Sequence, residues 1–305
     1  MAKRFSDTEK HIIELFSEAQ SFTYEGIDYE IIESGKPRPS SGECKTDIYI
    51  LAKDEKETEK EFKISVKQAN ADFLENKIKL ERAIEILGDG AQDIIKNSII
   101  PIQENFNKDY LVYFRNLGNV QENSITLGWK FEFLNKAGGK KCGQIILTDE
   151  QKIDIYAGTN LNSDKKNCKV NGTVINNSGI ANYIINVGDN IDDDNDNVNY
   201  YASKMLPIEE FAKNQEIYFA CKALNYRANK SGNIKWDGDR PLAVYVDWKA
   251  DEDILKGEII FDKPLSKKGH EIGRNLTTAL NELNIHKDNF LELENKFDKN
   301  INYLK

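Results

Sequence analysis

The stretch GECKTDIYILAKDEKETEKEFKISVKQAN, from Gly42 to Asn70, decides the reading of this chain. Apolar and polar residues alternate on both sides of the charged run KDEKETEK (53–60), the pattern of two strands joined by a turn. Suppose the strands pair antiparallel about a turn centred on Glu57, so that facing residue numbers sum to 114. Ile48 then meets Val66, Ile50 meets Ile64 and Ala52 meets Phe62, and six apolar side chains share one face. Period-two alternation sets Asp47 across from Lys67, Tyr49 across from Ser65 and Leu51 across from Lys63 on the other face. One face packs; the other presents a carboxylate, a hydroxyl and an ammonium together.

That set suits phosphodiester hydrolysis. A carboxylate can hold Mg²⁺, the ion polarises the phosphate and acidifies a bound water, and an ammonium orients the nucleophile and offsets developing charge. Asp47 and Lys67 fit those two roles. The same pattern also suits a solvated hairpin with a cross-strand ion pair, worth at most about 1 kcal/mol.

The flanking sequence places the hairpin in an α/β chain with a mixed sheet flanked by helices. Residues 6–20 put Ile12, Ile13, Leu15, Phe16 and Ala19 at helical spacing, with Ser6 as N-cap and Glu9 at the capping-box position. Residues 27–32 read as a strand and GKPRPSSGE (35–43) as a loop. Beyond the hairpin, helices are expected at about 70–87 and 90–100. Strands dominate from Tyr110 on: LVYF, ITLGWKFEF with a half-buried Trp129, Phe131 and Phe133, and KVNGTVI with a hairpin turn at Asn171-Gly172. A helical TDEQKIDIYAG lies between them, a further helix starts near Pro207, the strands EIYFACKALNY, LAVYVDW and KGEIIF follow, and two helices close the chain near 271–283 and 287–299. The expected division is a core over 1–120 and a strand-rich region over 121–305, packed closely enough to form one continuous domain.

Glu9-Lys10-His11-Ile12-Ile13-Glu14-Leu15-Phe16, Lys45-Thr46-Asp47 and Ser65-Val66-Lys67, in that order, resemble the PD-(D/E)xK nuclease superfamily, specifically type II restriction endonucleases that cut short sites. The resemblance covers residues 5 to about 75. It implies a restriction-endonuclease-like core, a Mg²⁺ cofactor, double-stranded DNA as partner, and a homodimer or monomer acting on a short palindromic site. It also implies Asp47 and Glu9 as metal ligands and Lys67 at the nucleophile. Ser65 stands where the superfamily usually carries Asp or Glu, so it is expected as an auxiliary catalytic and metal-binding group. Glu9 has a second reading as the capping residue of its own helix. Two rivals share the fold: a nuclease of the repair or resolvase type, and a non-catalytic DNA-binding protein. A plain interaction domain is the third.

Net charge is −9 over 305 residues, which disfavours a polyanionic partner only globally. Residues 222–249 carry six Lys and Arg against three Asp. Within them the polar hairpin Arg227, Asn229, Lys230, Ser231, Asn233, Lys235 and Arg240 offers side chains that read base edges and clamp phosphates. A second cluster contains Lys165 and Lys166; Lys36, Arg38, Ser41 and Lys45 flank the expected active site, and Gln68 and Asn70 follow Lys67 closely. Asp192, Asp194 and Asp196 mimic the start of a calcium loop but lack its Gly and closing Glu. Cys44, Cys142, Cys168 and Cys221 are far apart in sequence, which argues against a zinc or disulfide framework. No apolar run is long enough for a membrane span, and a cytoplasmic protein is expected.

Overall fold

The computed structural model describes residues 5–68, 73–76, 78–187, 195–228, 234–236 and 240–305. Its first elements are α1 (Phe5–Glu18), β1 (Ser21–Tyr24), β2 (Ile27–Gly35), β3 (Ile48–Lys53) and β4 (Glu59–Gln68). The β3–β4 hairpin forms, two residues out of the expected register: Ile48 pairs with Ile64, Ile50 with Phe62 and Ala52 with Lys60, so partners sum to 112. The turn is responsible. The Asp54 carboxylate accepts the Lys56 and Thr58 backbone N–H groups at 2.8 and 2.9 Å, and Glu57 takes a left-handed φ of 58°. This side-chain-closed turn centres on Lys56, not Glu57. A shift of two keeps parity, so Ile48, Ile50, Ala52, Phe62, Ile64 and Val66 still share one buried face.

The chain does not divide once near residue 120. It forms two compact units, Met1–Leu74 with Leu147–Glu216, and Glu75–Ile146 with Ile217–Lys305. In the first, the later elements are α2 (Asp149–Ala157), α3 (Ser163–Lys166), β5 (Lys169–Val170), β6 (Thr173–Val174), β7 (Tyr183–Val187), α4 (Val198–Ala202), β8 (Leu206–Pro207) and α5 (Ile208–Lys213). The sheet order is β1-β2-β3-β4-β7-β8: an antiparallel run through β4, then β7 parallel to β4 with Asn186 beside Lys67, then β8 antiparallel to β7. It is a mixed sheet with helices packed on it. Ile12 and Phe16 of α1 join the apolar hairpin face, along with Phe22, Tyr29 and Tyr183. Helix α1 already includes Phe5 and Ser6, so Ser6 is not its cap. The Asn171-Gly172 turn is as expected, both residues having positive φ and Val170 pairing with Thr173.

The second unit is strand-rich. Its main sheet runs Ile234–Trp236, Tyr218–Ala228, Ser124–Leu134, Val244–Asp251, Ile254–Ile260, all antiparallel. The Ser124–Leu134 strand is buried on both faces apart from Lys130, where alternation predicted half-burial. Trp129, Phe131 and Phe133 are core, as expected. The Gly269–Glu282 helix packs on Val244–Asp251. Three expected helices are shortened or changed: 70–87 becomes Leu80–Leu87 preceded by a strand at Phe73–Glu75, 90–100 becomes Ala91–Ile99, and the last is a 3₁₀ helix over Lys287–Asn295 kinked at Asn289. Leu74 stands at helical spacing from Ile78, but local period cannot register that strand use has claimed it. Among the described residues no helix is long and apolar enough to cross a membrane.

Candidate active site

The site is built where β3 begins and β4 ends. Asp47 precedes β3, and its N–H donates to Ile64 O at 2.8 Å, the last link of the hairpin ladder. Its Oδ2 accepts the Val66 backbone N–H at 2.8 Å and lies 3.5 Å from Ser65 Oγ. The two-residue shift therefore sets Asp47 beside Ser65 instead of directly across from Lys67. Lys67 lies one pleat further along the face that carries Ser65, and it still acts electrostatically on Asp47. The rest of that face is closed: Tyr49 is buried and donates to Glu61 at 2.8 Å, while Lys63 pairs with Glu61 at 3.3 Å.

Glu9, Lys36, Arg38, Thr46, Asp47 and Lys67 line one cleft of about 500 Å³. Glu9 arrives from α1, and its Oε1 accepts from Lys36 Nζ at 2.9 Å, so it serves the cleft and not a capping box. Burial pushes the Asp47 carboxyl above the usual carboxylate range and the Glu9 charge adds to the rise, against the pull of Lys67, the Val66 N–H and Lys36. Two hard oxygen donors under mutual repulsion suit Mg²⁺, which is commonly held by one or two carboxylates together with substrate phosphates. Lys36 supplies part of that neutralisation from the protein itself. Among the described residues no group of three or more His, Cys, Asp or Glu could hold a metal; the carboxylates lining the cleft are Asp47, Glu9 and Glu43, the last on the exposed loop before β3. Ser65 is fully buried and is not among the residues lining the cleft; its hydroxyl faces Asp47.

The expected DNA-contacting residues divide between the units. Lys36 and Arg38 line the cleft and Ser41 is exposed in the same loop. Lys45 is half-buried and donates to Leu74 O at 3.2 Å, so its ammonium is engaged within the first unit. Lys165 and Lys166 end α3, also in the first unit. Arg227 and Lys235 are cross-strand partners in the second unit, which also holds Arg240. The Gln68 backbone ends β4; its side chain, with Asn70, Asn229, Lys230, Ser231, Asn233, Asp192 and Asp194, lies outside the described residues. Asp196 lies 3.6 Å from His11.

Two features had no local signal in the sequence. One is the Lys36–Glu9 pair, 27 residues apart. The other is the approach of Cys44 and Cys168 around Gly179, their thiols donating to Thr46 O and Lys165 O at 3.3 and 3.2 Å; burial raises both thiols, that of Cys168 to about 12. All four cysteines are free. Comparisons with protein-family models, with curated proteins and with solved structures find no match to this chain.

Proposed function

We propose that this protein is a Mg²⁺-dependent endonuclease that hydrolyses double-stranded DNA at a short specific site, built on a restriction-endonuclease-like core. The observation that carries the reading is the convergence of Asp47, Glu9 and Lys67 on one cleft, from a helix and from the two ends of the β3–β4 hairpin. Asp47, oriented by the Val66 N–H, and Glu9 would hold the ion. When bound, the ion supplies charge neutralisation at the phosphate and a more acidic water. Lys67 holds the attacking water and the phosphate oxygens in place and stabilises the charge that grows as the water oxygen bonds to phosphorus and the opposite P–O bond breaks. Lys36, held by Glu9, adds a second positive charge to the same cleft.

Digestion of a sequenced phage genome with Mg²⁺ or EDTA tests this: discrete fragments with one shared end sequence, formed only with the metal, are expected. A second reading, a DNA-binding protein of the same fold without catalysis, is favoured by the buried Ser65 where a third carboxylate would complete a metal site. Retarded duplex without cleavage in Mg²⁺ or Mn²⁺ would select it, and neither binding nor cleavage would overturn both.

A further inference from the structure

Outside the Asp47–Lys67 centre, the most informative feature is the way a second cationic segment is fastened to the rim of the cleft. Arg38, in the loop after β2, and Lys169, in β5, exchange both backbone hydrogen bonds, at 2.9 and 3.0 Å. Such reciprocal antiparallel partners carry their side chains on one face, close together. Both side chains are exposed. Two like charges directly across a ladder repel, an arrangement that destabilises the fold unless an anion lies between or above them. Lys165 brings a third cation to the rim: its Cε and Nζ lie 3.4 and 3.6 Å from where a Cβ on Gly42 would be, and Gly42 lines the cleft. Among the described residues Arg38, Lys165 and Lys169 have no ion-pair partner. The acids nearby are Glu43, exposed on the rim, Asp164, whose two oxygens accept from Ser40 Oγ at 2.6 Å, and Glu9 and Asp47 within the cleft itself.

The segment is anchored rigidly. Gly179 N–H donates to Lys166 O at 2.8 Å, and Lys45 N–H donates to Gly179 O at 3.1 Å, two residues before Asp47. A Cβ on Gly179 would lie 1.9 Å from Lys165 O, so this approach of three chain segments requires glycine. Three cations on segments tied to the cleft suit a polyanion that carries several charges, whereas a single small anion would need only one of them.

We infer that Arg38, Lys169 and Lys165 form a track that binds successive phosphates of the DNA strand entering the cleft, independently of base sequence. This rests on the nuclease reading above and extends it to residues that need not touch the reacting phosphate. The track holds the backbone; Asp47 and Lys67 act on one bond within it.

The test is duplex binding by fluorescence anisotropy, without divalent metal so that nothing is cut, between 50 and 300 mM NaCl. The protein is compared with Arg38→Ala/Lys165→Ala/Lys169→Ala and with the charge-preserving Arg38→Lys/Lys169→Arg. Each phosphate contact contributes about 0.9 to the slope of log K against log salt. The triple variant should lose about 2.7 from the slope and bind more weakly on every sequence alike, and the charge-preserving variant should keep the slope. Circular dichroism checks that each variant is folded. If the parent protein binds or cuts DNA while the triple variant keeps its slope and affinity, the track is refuted and the nuclease reading stands. A loss confined to one sequence would also refute it, because base reading would then be involved. Absence of both binding and cleavage by the parent protein would overturn the two together.

Discussion

Ser65 offers the sharpest test of how the cleft holds charge, because the structure moves it from ligand to neighbour. Its hydroxyl is fully buried and its Oγ lies 3.5 Å from Asp47 Oδ2, at the outer limit of a hydrogen bond. Asp47 is held chiefly by the Val66 N–H at 2.8 Å, which no side-chain substitution removes. Ser65→Ala therefore forfeits less than about 1 kcal/mol and should slow single-turnover cleavage by no more than about five-fold. Ser65→Asp is more demanding. Its new carboxylate would lie about 4 Å from Asp47, where two like charges at an effective dielectric constant near 20 repel by about 4 kcal/mol. At about 3 °C per kcal/mol for a unit of this size, the variant in EDTA at pH 8 should melt about 12 °C lower. Repulsion raises the folded-state pKa of the pair above its unfolded value, so the penalty is fully present at pH 8. It disappears as pH falls below the ordinary carboxylate range. Mg²⁺ between the two carboxylates should recover most of the loss, shifting the variant's melting point more than the parent protein's. Thermal unfolding followed by circular dichroism, with Mg²⁺ or EDTA at pH 8 and pH 4, reads all of this. Equal melting of variant and parent in EDTA, or an equal response to Mg²⁺, would refute the reasoning, as would a loss of cleavage by Ser65→Ala as large as that of Asp47→Asn.

Lys67→Ala should cut the hydrolysis rate about 10³-fold while specific DNA binding stays within a few fold, measured by single-turnover kinetics and anisotropy; full cleavage would end the mechanism. The Lys60 ammonium lies 4.9 to 5.6 Å from the ring centroids of Phe62, Tyr24, Tyr29 and Tyr183, so Lys60→Gln should destabilise the protein by about 1 to 2 kcal/mol, read from urea midpoints; an unchanged midpoint would show that the rings need no cation. Burial raises the Cys168 thiol to about 12, which leaves about one thiolate in 10⁴ at pH 8, so iodoacetamide should spare Cys168 in the folded protein and alkylate it in urea, as peptide mass spectrometry would reveal. Ready alkylation in the native state would contradict the burial.

Much of the site was legible in the linear chain, and the reason is periodicity. A strand's side chains alternate strictly, so the apolar face of Ile48, Ile50, Ala52, Phe62, Ile64 and Val66, and the assignment of Asp47, Ser65 and Lys67 to the opposite one, survive any even shift of register. The same holds for the amphipathic α1 and for the Asn171-Gly172 turn, whose conformations are local. What the sequence determined was parity; the register itself was decided by the Asp54 side chain closing the turn, a geometry that alternation cannot register. Only the tertiary structure brought Glu9 to Lys36, Cys44 to Cys168 and Arg38 to Lys169, because these contacts depend on how a helix, a loop and a late strand converge at the ends of β3 and β4. It also decided that Ser65 is enclosed while Asp47 lines the cleft. Both occupy one face of the sheet, and which of two such neighbours meets solvent is set by what packs above them.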